Sequence, residues 1–386
     1  MNVKPGILLV ANWDSNVGYA WWLMESFWGQ LANAYSPSHA VYLAFPSISK
    51  ISDRLQAADI QFLVLDFNDT SIANVRKQGR FIREHNIRLA YLTDHNNTSW
   101  RYLYYRLSGL QLLVSHDHTP GMRAEPGVPR KWFKALLGRL SWINVDAAYA
   151  TTDFVRERLV NVNCLPARKC FVVPNGLPPA AATVPENLVE RFGIAQNSTV
   201  VVSTGRANHY KGVGLMLEAI AALVAKGRNV HFLYCGDGPD LDEFRALVRE
   251  QGLSSRVTFA GRIEDVGRVL AACDIAFSAS QGEVGYSLSI LEYMQLGLPV
   301  VVTDNPSVCG ATEHGVTGLH FEEGNVEAAA SAIAKLLDDA ERRVEMGERA
   351  KEVVNNKYSL DQTYQSLLEA TAAVDTRGFP AANTTA

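Results

Sequence analysis

A chain of 386 residues, 47% hydrophobic and 20% charged, is long enough for two or three ordinary domains and lacks the bias of disordered or fibrous proteins. Its formal net charge of -4 argues against nucleic acid as a partner, since such binders are usually basic. Cys164, Cys170, Cys235, Cys273 and Cys309 include no CxxC pair, so they read as small buried hydrophobes rather than a zinc or disulfide framework.

The chain opens on "ILLVANW", too short an apolar run for a signal peptide and readable as a strand. No stretch approaches the roughly 18 apolar residues that a bilayer span needs. The chain therefore reads as cytoplasmic. "HAVYLAF", "FLVLDF", "RLAYLTD", "LQLLVSHD" and "AAYATT" follow as further strands, continuous in apolarity rather than alternating, as expected when both faces of a sheet are covered. "DHNNTSWRYLYYRL" (94–107) is rich in aromatic and polar groups, which suits either an acceptor-binding wall or core packing. "SHDHTPG" carries His116 and His118, but no third ligand at metal-site spacing accompanies them, so no metal is expected.

"PRKWFKALLGRLSWI" (129–143) predicts a helix with Trp132, Phe133, Leu136, Leu137 and Leu140 on one side and Lys131, Lys134 and Arg139 elsewhere. Two readings stand: an ordinary helix packing on its sheet, or a basic amphipathic helix lying on an anionic membrane. "VVPNGLPPAAATVPENL" (172–188) breaks the pattern with prolines and small residues and reads as a linker.

Beyond it come "TVVVSTG", "VHFLYCGDG", "VTFAGR", "IAFSAS" and "PVVVTD", again alternating with helical patterns. In one of these, Leu217, Ile220, Leu223 and Val224 recur at helical spacing and stop at Gly227. Strand–helix repetition in both halves predicts an α/β protein of two Rossmann-like, doubly wound parallel-sheet domains, at 1–178 and 185–358. A helix at 359–374 and a disordered tail at 376–386 complete the expectation.

Ligands of open parallel sheets bind at the carboxyl ends of strands, so the loops there are the places to search. "STGRANHYKGVG" sets Arg206 and Lys211 in a glycine-punctuated loop that opens a helix, a diphosphate site by charge and helix dipole, or else a solvated basic loop. In "QGEVGYSLSILE" Gly285 permits a tight turn, and the N–H groups of Tyr286, Ser287 and Leu288 begin the next helix. Glu292 lies one turn into that helix among apolar neighbours, placed to accept hydrogen bonds from the vicinal hydroxyls of a ribose.

With these stretches in place, the sequence resembles the retaining glycosyltransferases of family 4, built on the GT-B fold of two Rossmann-like domains facing a central cleft. "TGRANHYKG", "YCGDGP", "VTFAGRI", "EVGYSLSILEYMQLGLPVVVTD" and "GATEHGVTGLHF" carry the resemblance, which covers nearly all of the second half and is looser in the first. It implies transfer of a sugar from a nucleoside-diphosphate donor, UDP- or GDP-linked, to a glycan or lipid-linked glycan in polysaccharide or glycoconjugate biosynthesis. Retention of configuration by front-side attack is implied, without metal and with no cofactor beyond the sugar nucleotide.

The resemblance assigns the diphosphate to Arg206 and Lys211, the ribose to Glu292, the base to the backbone of Arg262 and Ile263, and the donor sugar to Glu283 and His116. His118 is the lesser match, and Gly18 would lie near the phosphates. The family pattern separates its two glutamates by seven residues, whereas here Val284 occupies that first position and Glu283 stands one residue before it. The C-terminal helix would return to the first domain, which would bind the acceptor, with a peripheral contact at the inner membrane face through 129–143. A nucleotide-sugar epimerase or hydrolase of similar build, or a non-catalytic partner subunit, remain alternatives.

Overall fold

A computed structural model describes residues 4–18, 21–181 and 183–374; the tail expected to be disordered, 376–386, lies outside them. The described chain divides into two compact units. The first comprises residues 4–119, 123–175 and 361–374, the second 120–122 and 176–360.

The first unit is built on β1 (Gly6–Val10), β2 (Ala40–Phe45), β3 (Gln61–Val64), β4 (Ile87–Thr93), β5 (Leu112–Asp117), β6 (Ala147–Ala150) and β7 (Cys170–Val172). They form one parallel sheet in the order β3-β2-β1-β4-β5-β6-β7. Every residue of β1 and β5 is buried, which explains their unbroken apolar runs. The order reverses between β1 and β4, so the loops after those strands flank a switch point.

The second unit holds β8 (Thr199–Thr204), β9 (Val230–Cys235), β10 (Val257–Gly261), β11 (Ile275–Ser278), β12 (Val300–Thr303) and β13 (Gly318–Phe321). These are parallel in the order β10-β9-β8-β11-β12-β13, with the switch point between β8 and β11. Both units are thus doubly wound α/β layers, and β7 and β13 are additions to the strands expected from the sequence. The Val213–Ala225 helix buries Met216, Leu217, Ile220 and Leu223. It stops at Lys226, where Gly227 takes a left-handed φ of 72° that a side chain would resist.

Two helices of the first unit depart from simple expectation. The Val128–Arg139 helix is shorter than the 129–143 pattern, because Leu140 turns extended. Only Gly138 of this helix is buried, so the reading of a helix that packs its apolar side on the sheet is corrected: Trp132, Phe133 and Leu136 face solvent. In the Trp100–Leu107 helix, Tyr102 and Tyr105 are core residues, their hydroxyls bound to the Asn96 carbonyl and the Gln78 side chain. Trp100 and Leu107 of the same helix are exposed.

The Leu360–Val374 helix contributes residues 361–374 to the first unit, where the Tyr149 hydroxyl donates to Thr371 Oγ1 at 3.0 Å. Among the described residues no helix is long and apolar enough to cross a membrane.

Candidate functional site

The loops following β8 and β11, the strands on either side of the second unit's switch point, carry most of the predicted residues. Their backbones are pressed together. A Cβ on Gly212, which has φ 72°, would lie 2.0 Å from the Ala279 carbonyl oxygen. One on Gly236 would meet the Gly205 carbonyl oxygen at 1.8 Å, and one on Gly238 the Ala207 carbonyl oxygen at 2.3 Å. The glycines punctuating "STG", "CGDG" and "KGVG" therefore allow three loop backbones to stack at the strand ends.

In this cradle the Asn208 side chain accepts the Lys211 N–H at 2.9 Å and starts a single 3-10 turn, His209–Lys211. That turn aims Lys211 at Glu283, and the two side chains form an ion pair. Glu283 is thus brought to the predicted cation despite its one-residue offset from the family spacing. Arg206 is exposed on the same loop and has no ion-pair partner among the described residues.

The Glu283 segment is braced by a stretch that sequence reasoning passed over, the loop after β12. Gly285, at φ 102°, donates its N–H to the Ser307 carbonyl at 2.8 Å and accepts from the Gly310 N–H at 2.8 Å. Asn305 holds Ser307 through its side-chain oxygen and reaches the Gln281 carbonyl with its amide at 3.2 Å. The signal available was "DNPS" directly after a strand, a cluster of turn formers at a carboxyl end. Gly121, whose residues 120–122 cluster with this unit, donates its N–H to the Glu283 carbonyl at 2.9 Å.

Ser287 caps the Leu288–Gln295 helix by accepting the Ile290 N–H at 3.3 Å. Tyr286 is buried and packs edge-on against Tyr358, with ring centroids 5.1 Å apart, so it braces the turn. Leu288 is the first helical residue. The next turn carries Tyr293, whose hydroxyl accepts the Thr204 N–H at 2.6 Å and bonds Thr204 Oγ1 at 2.8 Å. This phenol, which sequence reasoning missed, ties the helix to the end of β8.

Glu292 stands next to it. Its carboxylate has no hydrogen bond or ion pair among the described residues, and burial raises it from an ordinary 4.5 to about 7. A carboxylate held without a partner in low-dielectric surroundings is costly unless something arrives to satisfy it. Arg262 and Ile263 follow β10, the edge strand two places from β8, just after Gly261 with φ 68°.

The remaining predicted residues belong to the first unit. Gly18, at φ 79°, lies in the loop after β1 and accepts the Trp21 N–H at 3.2 Å. His116, the next-to-last residue of β5, is fully buried, with its ring beside Phe27, Tyr91 and Tyr149 and its Nδ1 bonded to the Tyr91 hydroxyl. Burial holds its imidazole well below 6.5, reinforced by His118 and opposed by the Val173 backbone. The His118 ring lies 4.0 Å away, and neither of its nitrogens is hydrogen-bonded among the described residues. Among those residues no three His, Cys, Asp or Glu side chains gather as they would around a metal ion.

Residues 185–353 match the family model described as glycosyl transferases group 1. A 175-residue stretch is 33% identical to alpha-D-kanosaminyltransferase of Streptomyces kanamyceticus, covering 45% of each chain. The match therefore spans about half the length of that relative. Over nearly the full length, the fold is similar to that of a glycosyltransferase from Rickettsia africae, with TM-score 0.76 and 18% identity over 97% of this chain and 100% of that one. Anabaena Alr3699/HepE, solved in complex with UDP, gives TM-score 0.73 at 18% identity, covering 95% of this chain and 100% of HepE.

Proposed function

Residues 185–353 belong to the glycosyl transferases group 1 family, and on that premise we propose that the protein is a retaining glycosyltransferase using a nucleoside-diphosphate sugar. The acceptor is a hydroxyl of a glycan or lipid-linked glycan. The observation that carries the reading is Glu292, a largely covered carboxylate with no hydrogen bond or ion pair among the described residues, in the helix that follows the Glu283 turn, where Glu283 pairs with Lys211. A ribose supplies two vicinal hydroxyl donors, which is what an unpaired, largely covered carboxylate requires.

In this reading the diphosphate lies over the loop after β8. Arg206, which has no ion-pair partner among the described residues, and Lys211 draw off the charge that develops as the bond between the anomeric carbon and the phosphate oxygen breaks. The acceptor oxygen bonds to the anomeric carbon on the face that the diphosphate leaves. Its proton passes to the departing phosphate oxygen, and the bonding pair remains on the diphosphate. Two protein cations serve the leaving group, so the scheme calls for no divalent ion.

When donor arrives, the phosphates compete with Glu283 for Lys211, and Glu283 turns to the sugar hydroxyls. The backbone of Arg262 and Ile263 takes the base.

The test is thermal stability against UDP, GDP, ADP, dTDP and CMP for the wild type and Glu292→Ala. A ligand at about 100 times its dissociation constant adds roughly 2.7 kcal/mol to the wild type. We expect one diphosphate, UDP first in view of the shared fold with HepE, to stabilise the wild type and much less the variant. An equal response from both proteins, or none from either, overturns the ribose assignment. Turnover of the matching sugar nucleotide in the absence of any acceptor would place the protein among hydrolases or epimerases instead.

A further inference from the structure

The strands β8 and β11 flank the second unit's switch point, and they separate before either ends. Their pairing sets Val201 and Val202 opposite Ile275 and Ala276, whereas β8 continues to Thr204 and β11 to Ser278. On its other side β8 stays paired with β9 through Thr204, opposite Cys235, and the Gly205 N–H still donates to the Cys235 carbonyl at 3.2 Å. Main-chain polar groups of a parallel strand alternate between its two neighbours. Val200 turns its N–H and carbonyl to Asp274, just before β11, so by alternation the Thr204 N–H faces the side from which β11 has withdrawn. A phenol takes the missing strand's place there. The Tyr293 hydroxyl accepts the Thr204 N–H at 2.6 Å, bonds Thr204 Oγ1 at 2.8 Å and lies 3.4 Å from the Thr204 carbonyl oxygen. Tyr293 is 1% exposed, so these bonds form inside the fold.

This brace joins the two elements on which the donor reading rests. Thr204 leads through Gly205 to Arg206, and Glu292 directly precedes Tyr293. Gly205, at φ 149°, has its carbonyl pressed on Gly236, where a Cβ would lie at 1.8 Å, so the loop beyond Thr204 has little freedom to slide toward β9. The phenol holds the same chain segment from the opposite side. A buried aromatic ring has few torsions and keeps its hydroxyl at a fixed distance from its helix. We propose that Tyr293 is a positioning residue that sets the separation between the Arg206 loop and the Glu292 carboxylate, matching it to a nucleoside diphosphate and so favouring the diphosphate over the bare nucleoside. The inference rests on the nucleoside-diphosphate reading and adds the residue that tunes it. A buried tyrosine also needs a hydroxyl partner simply to be tolerated in a core. That plainer role would weaken diphosphate and nucleoside alike, or neither, so a binding measurement separates the two roles.

The test is calorimetric titration of the full chain with the diphosphate that stabilises the wild type and with its nucleoside, UDP and uridine in the first instance. Tyr293→Phe keeps the ring and removes the hydroxyl. UDP should then bind roughly tenfold more weakly, while uridine, which reaches only the groups that hold ribose and base, should change by less than about twofold. Ile220→Val, a small core truncation in the Val213–Ala225 helix, should lower the melting temperature comparably and leave both affinities as in the wild type. Thr204→Val loses the Oγ1 contact and keeps the N–H bond, so it should weaken UDP in the same direction by a smaller factor. It carries the test should Tyr293→Phe not fold. Equal weakening of UDP and uridine, or unchanged binding of both, makes Tyr293 a simple anchor and overturns the inference while the donor reading stands. A wild type that none of the diphosphates stabilises overturns the donor reading and the inference together.

Discussion

Replacing Glu292 by glutamine should make the protein more stable at pH 8 and worse at holding its nucleotide. The folded-state carboxyl is raised from 4.5 to about 7 by burial alone, with no counter-charge to offset it. Between those values the folded protein keeps a proton that the unfolded chain has released, so stability falls as pH rises from about 4.5 to about 7 and stays low above that. At about 1.4 kcal/mol per pH unit, the accumulated loss reaches roughly 3 kcal/mol. Glutamine has the same shape and no charge. The variant should therefore match the wild type near pH 4.5 and exceed it by up to about 3 kcal/mol at pH 8, several degrees in melting temperature for a unit of this size.

Binding should respond in the opposite sense. If hydroxyl donors prefer the ionised carboxylate, about one tenth of the free protein is competent at pH 6 and most of it at pH 8, so wild-type affinity should rise roughly tenfold across that interval. The glutamine variant should show no such rise. Thermal unfolding from pH 5 to 8 and calorimetric titration with the nucleotide that stabilises the wild type measure both. A stability difference between the two proteins that does not change with pH refutes the reasoning, because the burial penalty on the charge would then be absent.

Lys211→Ala separates stability from chemistry in the same unit. A partly exposed ion pair is worth under about 1 kcal/mol, so the melting temperature should move little, while turnover of the cognate sugar nucleotide should fall roughly 10²-fold or more. Gly212→Ala and Gly227→Ala compare two glycines with the same φ of 72°. At Gly227 the space is open, and the cost should be about 1 kcal/mol. At Gly212 the new methyl meets the Ala279 carbonyl, so the loss should exceed about 2 kcal/mol and nucleotide affinity should drop as well. Denaturant unfolding of the pair checks the difference.

Much of this architecture could be read before any coordinates, because long apolar runs such as those of β1, β8 and β12 have no other economical use. The two strands that escaped are brief. β7 is three residues, and β13 is four, with glycine and histidine among them, so neither produces a legible run. Glu292 announced itself as a charge in an apolar helix, and its partial burial follows from the neighbours that made it conspicuous. The pairing of Lys211 with Glu283 joins residues 72 positions apart, and only folding reveals it. Periodicity pointed to an amphipathic helix in 129–143, realised as Val128–Arg139, but it is blind to direction. A glycine touching Cys164, Gly138, decides which side faces in, and a glycine has no hydropathy with which to advertise that role.

The return of residues 361–374 to the first unit has a consequence for how the protein is made. Chains emerge from the ribosome amino end first, and domains generally fold as units as they appear. The first unit cannot be finished in that order, because Tyr149 gains its Thr371 partner only when the last helix is out. The second unit is almost one continuous stretch and can complete itself meanwhile. The nascent protein thus passes through a period with a finished second unit and an unclosed amino-terminal one, and premature termination just short of residue 361 would leave its lesion at the opposite end of the sequence.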